Sequence, residues 1–278
     1  MTAHDQCRVG RSYPHAVPVV ELVVDVEDAE LAADALWQGS PSAVSEEVLP
    51  DGRVRFVADV TDLAAVPAGW SCAVIAVDAD VEDGWRDFAA PVRAGGFVLL
   101  PAWLPATTVA PDEVVIPLDP GRVFGSGSHV STRQVLELLA PLDVAGRSVL
   151  DVGSGSGVLA IAALRRGARR AVAIDIDPDA AAVALANADR SGVVDRLDAS
   201  DRPVEAVEER FDLVLANIGQ RVLVDLAPAL LARVVPGGRL LLAGFLDDQA
   251  DAVRRAYEPA GEEAASSVDG WTALRLRA

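Results

Sequence analysis

Three glycines at alternate positions, Gly153, Gly155 and Gly157, follow the apolar run Ser148–Val152 and precede Val158-Leu-Ala-Ile-Ala-Ala-Leu164. Glycines at such a strand-to-helix turn let the backbone approach a bound nucleotide closely, because no Cβ intervenes. A dinucleotide fingerprint would place its third glycine three residues after the second, at a helix start that receives a pyrophosphate. Val158 holds that place, and the acid Asp151 stands just ahead of the glycines. Asp175 lies 18 positions beyond Gly157, at the end of another apolar run. A carboxylate there can accept hydrogen bonds from both hydroxyls of a ribose. Asp177 and Pro178 are expected to cap a helix beginning near Asp179. Asp198 or Ser200 is the candidate to reach a base. Asn217 follows the run Phe211–Ala216 and can offer its side-chain oxygen, beside backbone carbonyls, to an attacking amine, or it can close a turn. His129, one of three histidines, sits in a serine-rich loop either as a base or as a residue that fixes the loop. No cluster of His, Cys and carboxylates has metal-ligand spacing, so no metal is expected.

These side chains need a scaffold, and the second half of the chain supplies a regular alternation. Strands are expected at Ser148–Val152, Ala171–Asp175, Arg196–Ala199, Phe211–Ala216, Arg239–Ala243 and Trp271–Arg277, and helices at Ser131–Leu139, Val158–Arg165, Asp179–Arg190 and Arg221–Arg233. Such alternation predicts a doubly wound α/β sheet with its ligand at the carboxyl ends of the strands. Before it, strands at Val17–Val26, Ala43–Val48, Arg53–Val60 and Ser71–Val77, with a helix at Asp28–Trp37, predict a small α+β domain. The expected division is a small domain at 1–78, a linker at 79–103 and a larger domain at 104–278.

The 278 residues carry a net charge of −18, and all 24 basic residues are Arg. That balance disfavours a nucleic-acid partner and suits a basic protein, though acidity also serves solubility alone. No apolar run approaches the roughly 18 residues of a membrane span, and the first residues lack the apolar stretch of a secretory signal. Cys7 and Cys72 have no redox or metal spacing. The protein is expected in the cytoplasm.

The glycine spacing, with its preceding acid, resembles that of S-adenosylmethionine-dependent methyltransferases. Phe124-Gly-Ser-Gly-Ser-His-Val-Ser-Thr132 resembles the Phe-Gly-Thr-Gly-Thr-His-Pro-Thr-Thr signature of the PrmA family, which methylates large-subunit ribosomal protein L11. The likeness continues through Asp119-Pro-Gly121, Asp151 to Gly157, Ile174-Asp-Ile-Asp-Pro178, Ala216-Asn-Ile218, Gly244-Phe-Leu-Asp-Asp-Gln249, Tyr257 and Trp271, and it covers the connector Trp85-Arg-Asp-Phe and Pro101-Ala-Trp103. The resemblance implies a Rossmann-like, seven-stranded catalytic domain and a small N-terminal domain that captures the substrate. It also implies S-adenosyl-L-methionine as cofactor and methyl transfer to Lys side chains and the α-amine of ribosomal protein L11. Carried over by position, Thr132, Gly153, Asp175 and Asn217 would contact the cofactor, with Asp151, Gly155 and Gly157 completing the loop, and Asn217 would border the methyl-transfer site. Ser126 and Ser128 stand where the family has Thr, and Val130 where it has Pro. Gly219-Gln220 replaces an apolar-small pair at the acceptor entrance, which leaves open another protein, a small molecule, or a cofactor-binding module that does not turn over.

Overall fold

A computed structural model describes residues 8–9, 18–29, 32, 36, 44–49, 51–58, 70–76, 90–105, 110, 113–121, 123, 125 and 127–278. Cys7, Trp85, Phe124 and Ser126 lie outside them, as does the side chain of Cys72. The chain divides into two compact units, Met1–Ala89 and Ala90–Ala278.

In the smaller unit, strands β1 (Arg8–Val9), β2 (Pro18–Val24), β3 (Val44–Val48), β4 (Val54–Ala58) and β5 (Ser71–Ala76) form one sheet in the order β1-β5-β2-β4-β3. Alternation fixes its buried face. Val20, Leu22 and Val24 of β2 and Val54, Phe56 and Ala58 of β4 pack against the helical residues Ala32 and Leu36.

The larger unit opens with a three-stranded sheet, β6 (Val92–Ala94), β7 (Phe97–Pro101) and β8 (Val114–Leu118). The first two strands occupy the second half of the expected linker. They are not a connector, because Phe97 and Leu99 are fully buried in the same cluster as Ile116 and Leu136. The main sheet follows: β9 (Ser148–Val152), β10 (Arg170–Ile174), β11 (Leu197–Ser200), β12 (Phe211–Asn217), β13 (Val234–Leu246), β14 (Gly261–Val268) and β15 (Trp271–Arg277). Its order is β11-β10-β9-β12-β13-β15-β14. The pairs from β11 to β13 are parallel, and β15 is antiparallel to both β13 and β14.

Helices cover both faces. α1 (Val130–Leu139), α2 (Val158–Arg165) and α3 (Ala180–Arg190) share one apolar cluster with Val149, Leu213, Leu215 and Leu241. α4 (Gln220–Arg233) and α5 (Ala250–Ala256) bury Leu223, Leu230 and Val253 against Leu150, Val214, Leu240 and Leu242 on the other. Strand β9, inside both clusters, is buried along its whole length. This is the doubly wound arrangement, and its order reverses between β9 and β12, so the loops after β9, β10 and β12 surround one crevice. Among the described residues, no helix is long and apolar enough to cross a membrane.

Candidate functional site

The loop from β9 into α2 is built around backbone positions that exclude side chains. Gly153 has φ 70°, and a Cβ there would overlap the Ile218 side chain, which occupies that space. Gly157, at φ 79°, is the N-cap of α2, and a Cβ there would lie 2.8 Å from that of Ala184 on α3. Gly153 and Ser154 both donate their N–H groups to the Ile174 carbonyl, at 2.8 and 3.1 Å, which holds the loop against the end of β10.

Asp175 follows immediately. Its Oδ2 accepts the Gly155 N–H at 2.7 Å and its Oδ1 accepts the Asp177 N–H at 3.0 Å, while its own N–H donates to the Ser200 carbonyl. The half-buried carboxylate therefore joins the loops after β9 and β10, the backbone N–H ties the residue to the end of β11, and each carboxylate oxygen keeps a second lone-pair direction for an incoming hydroxyl. Beside it Ile176 is 94 % exposed, an apolar side chain of the kind that covers the face of a base. In the sequence Ile176 carries no such signal, because an isoleucine at a strand end reads as core. Asp177 accepts from the Asp179 N–H at 2.9 Å, and the helix starts one residue later than expected, with Asp179 as N-cap and no side-chain cap. Asp198 is exposed and ion-paired to Arg202 at 2.7 Å, so of the two candidates after the third strand only Ser200 lies at the strand end beside Asp175.

Asp151 sits on the β9 side of the loop, 1 % exposed. Its Oδ2 accepts the Ala160 N–H at 3.0 Å, and its Oδ1 is buried without a hydrogen-bond partner. Burial pushes its carboxyl up to about 7, against the partial help of the Ala160 bond, with the nearby Asp175 charge adding to the rise. A buried acid whose folded value is raised stabilises the fold below its unfolded value of 3.8 and loses that contribution as pH climbs through about 7. Urea unfolding of the ligand-free protein between pH 5 and 8 is therefore expected to show a downward slope from this group that Asp151→Asn lacks. Equal slopes in the two proteins would contradict it.

Asn217 is the last residue of β12, half-buried, and its Nδ2 donates to Thr132 Oγ1 at 3.3 Å. Thr132 is itself 1 % exposed on the first turn of α1. Ile218 donates its N–H to the Ala243 carbonyl, and Gly244 follows with φ 95°, where a Cβ would stand 2.6 Å from the Ile218 carbonyl oxygen. Close approach of the β12 and β13 ends thus fixes the backbone just past Asn217. His129 caps α1: its Nδ1 accepts the Ser131 N–H at 3.2 Å and pairs with Ser131 Oγ at 2.7 Å. The ring meets Trp271 edge-on, centroids 4.6 Å apart. Partial burial and the nearby Arg133 hold its pKa below the ordinary histidine value. These contacts are those of a residue that fixes the loop.

Gly153, Asp175 and Asn217 are partly exposed at or just past the ends of β9, β10 and β12, while Thr132, Asp151, Gly155 and Gly157 are buried beside them. The donor set fits S-adenosylmethionine: a side-chain-free cradle, a carboxylate for ribose hydroxyls and an orphaned buried carboxylate oxygen suited to an ammonium group. Among the described residues no group of three metal-ligating side chains occurs.

The family model for ribosomal protein L11 methyltransferase (PrmA) matches residues 68–278. A ribosomal protein L11 methyltransferase of Chromohalobacter salexigens is 42 % identical over 257 residues, covering 91 % of this chain and 79 % of its own. One from Sorangium cellulosum is 40 % identical over 226 residues, 71 % of each chain. The crystal structure of a ribosomal protein L11 methylase from Lactobacillus delbrueckii subsp. bulgaricus superposes with a TM-score of 0.60 at 28 % identity, over 65 % of this chain and 92 % of that one. With three quarters of the chain under the family model and a relative at 42 % identity across nine tenths of it, the chain belongs to the ribosomal protein L11 methyltransferase (PrmA) family of S-adenosylmethionine-dependent methyltransferases.

Proposed function

We propose that this enzyme methylates amino groups, Lys side chains and the α-amine, of ribosomal protein L11. The observation that carries the proposal is the pairing of Asn217 with Thr132 at the end of β12. With Nδ2 engaged by Thr132, Oδ1 is the atom left to accept a hydrogen bond from an amine N–H. S-adenosylmethionine, when bound, supplies an activated sulfonium methyl, so the protein's task is mostly positioning. Gly153, Gly155 and Gly157 let the backbone lie against the cofactor, Asp175 takes its ribose hydroxyls, Asp151 faces its ammonium end, Ile176 covers its base and Thr132 borders its methionine end. Lys loses its proton to water before attack, since the ammonium ion has no lone pair. Asn217 Oδ1 then aims the neutral amine at the methyl group and stabilises the cationic product.

The names of the 42 % and 40 % identical relatives support L11 as the acceptor. A net charge of −18 suits a basic protein acceptor and disfavours nucleic acid. The smaller unit captures that protein, and the reaction belongs in the cytoplasm, where ribosomal proteins are made. Incubation with methyl-labelled cofactor and a mixture of ribosomal proteins is expected to label L11. Because Gly219, exposed before α4, and Gln220, its first residue, alter the acceptor entrance, a small-molecule panel runs beside it. Label there with none in L11 would move the acceptor elsewhere. Cofactor binding without any labelled product would reduce the chain to a binding module.

A further inference from the structure

We infer that Asn187 and Ser156 are positioning residues that clasp Asp119 and Gly125, ahead of α1, onto the glycine loop and so hold the cofactor site closed-up for binding. Both are 0 % exposed, and neither lines the crevice itself. Asn187, in the third turn of α3, uses its whole hydrogen-bonding capacity. Its Nδ2 donates to the Asp119 carbonyl and to the Ser156 carbonyl, each at 3.0 Å. Its Oδ1 accepts the Asp119 N–H at 2.9 Å and Arg190 Nη1 at 3.1 Å. Only an amide can donate twice and accept twice from one side chain of this length, so the position is chemically specific.

Ser156 supplies the second point. Its Oγ donates to the Gly125 carbonyl at 2.6 Å, and Gly125, at φ 108°, approaches so closely that a Cβ would sit 2.6 Å from that oxygen. The glycine loop is thus fastened to Asp119 through Asn187 and to Gly125 directly. The chain then runs through His129 into α1, whose Thr132 holds Asn217. The clasp therefore ties the cofactor side of the crevice to the acceptor side through backbone carbonyls that no surface contact would need.

The inference rests on the cofactor lying against the glycine loop as proposed above. Ser156→Ala removes one hydroxyl and leaves the part-buried Gly125 carbonyl without its donor. In calorimetry with S-adenosylmethionine alone, its Kd is expected to rise about tenfold, while the ligand-free melting temperature falls by only a few degrees. Asn187→Asp, which cannot donate to two carbonyls, is expected to weaken binding further; Ser156→Ala decides the question if that variant does not fold. A wild-type Kd in Ser156→Ala, with a lowered melting temperature, would make these residues merely structural and overturn the inference. Asp175→Ala measured alongside separates the two levels. Binding lost in Asp175→Ala but intact in Ser156→Ala sinks the clasp alone, and binding intact in both sinks the cofactor placement beneath it.

Discussion

Replacing Asp175 by Ala is expected to weaken S-adenosylmethionine binding by about a hundredfold or more, read as Kd by calorimetry. Two losses add. The carboxylate offers charge-assisted hydrogen bonds to a ribose, each worth about 1.5–3 kcal/mol. It also accepts the Gly155 and Asp177 N–H groups, so its removal frees Gly155 while the Gly153 and Ser154 bonds to the Ile174 carbonyl remain. Asp175→Asn preserves volume yet turns an amide toward one of those N–H donors, so it is expected to recover only part of the affinity. A Kd within threefold of wild type in Asp175→Ala would place the cofactor elsewhere.

Asn217→Ala is expected to act on the other side of the reaction. Cofactor affinity should fall only several-fold, because the glycine loop and Asp175 are untouched and Asn217 is one cofactor contact among several, while kcat falls by about two to three orders of magnitude, the cost typical of losing one well-placed polar group at a reacting centre. Thr132 would lose its donor but can rotate its hydroxyl to another partner. Asn217→Asp keeps an acceptor, and Thr132 can donate to it. A carboxylate there would favour the protonated amine, so that variant is expected to be most active at a higher pH than wild type. Near-wild-type turnover in Asn217→Ala would remove Asn217 from the mechanism.

What the sequence disclosed and what it hid divide along physical lines. Strand β9 and helix α2 fall at the expected residues, because a short run interrupted only by Asp151, a glycine turn and a second, apolar run leave no other assignment. Strand β14 gave no signal: Glu262, Ser266 and Ser267 belong to an edge strand exposed over most of its length, recruited by pairing with β15 rather than by its own pattern. Strand β13 runs well past the expected Arg239–Ala243 because Val234 pairs with Phe211 of β12 on the far side of an irregularity at Pro236, Gly237 and Gly238, and pairing with β15 carries the other end to Leu246. The strands at Val92–Ala94 and Phe97–Pro101 were hidden among the Pro and Trp of an apparent connector. The places of Gly153, Asp175 and Asn217 at or just past strand ends were legible because spacing along alternating strands and helices dictates which strand ends meet. Asn187 was not, since an Asn inside an alanine-rich helix looks ordinary until the segment 68 residues earlier is seen folded onto it.

The most direct test of the account is intact-mass spectrometry of ribosomal protein L11 after incubation with S-adenosylmethionine and either the wild-type enzyme or Asn217→Ala. The account predicts mass gains in methyl-sized steps with the wild type, mapping to Lys side chains and the α-amine, and almost none with the variant over the same time. No gain with a wild-type enzyme that binds the cofactor, or equal gains with both proteins, would contradict it.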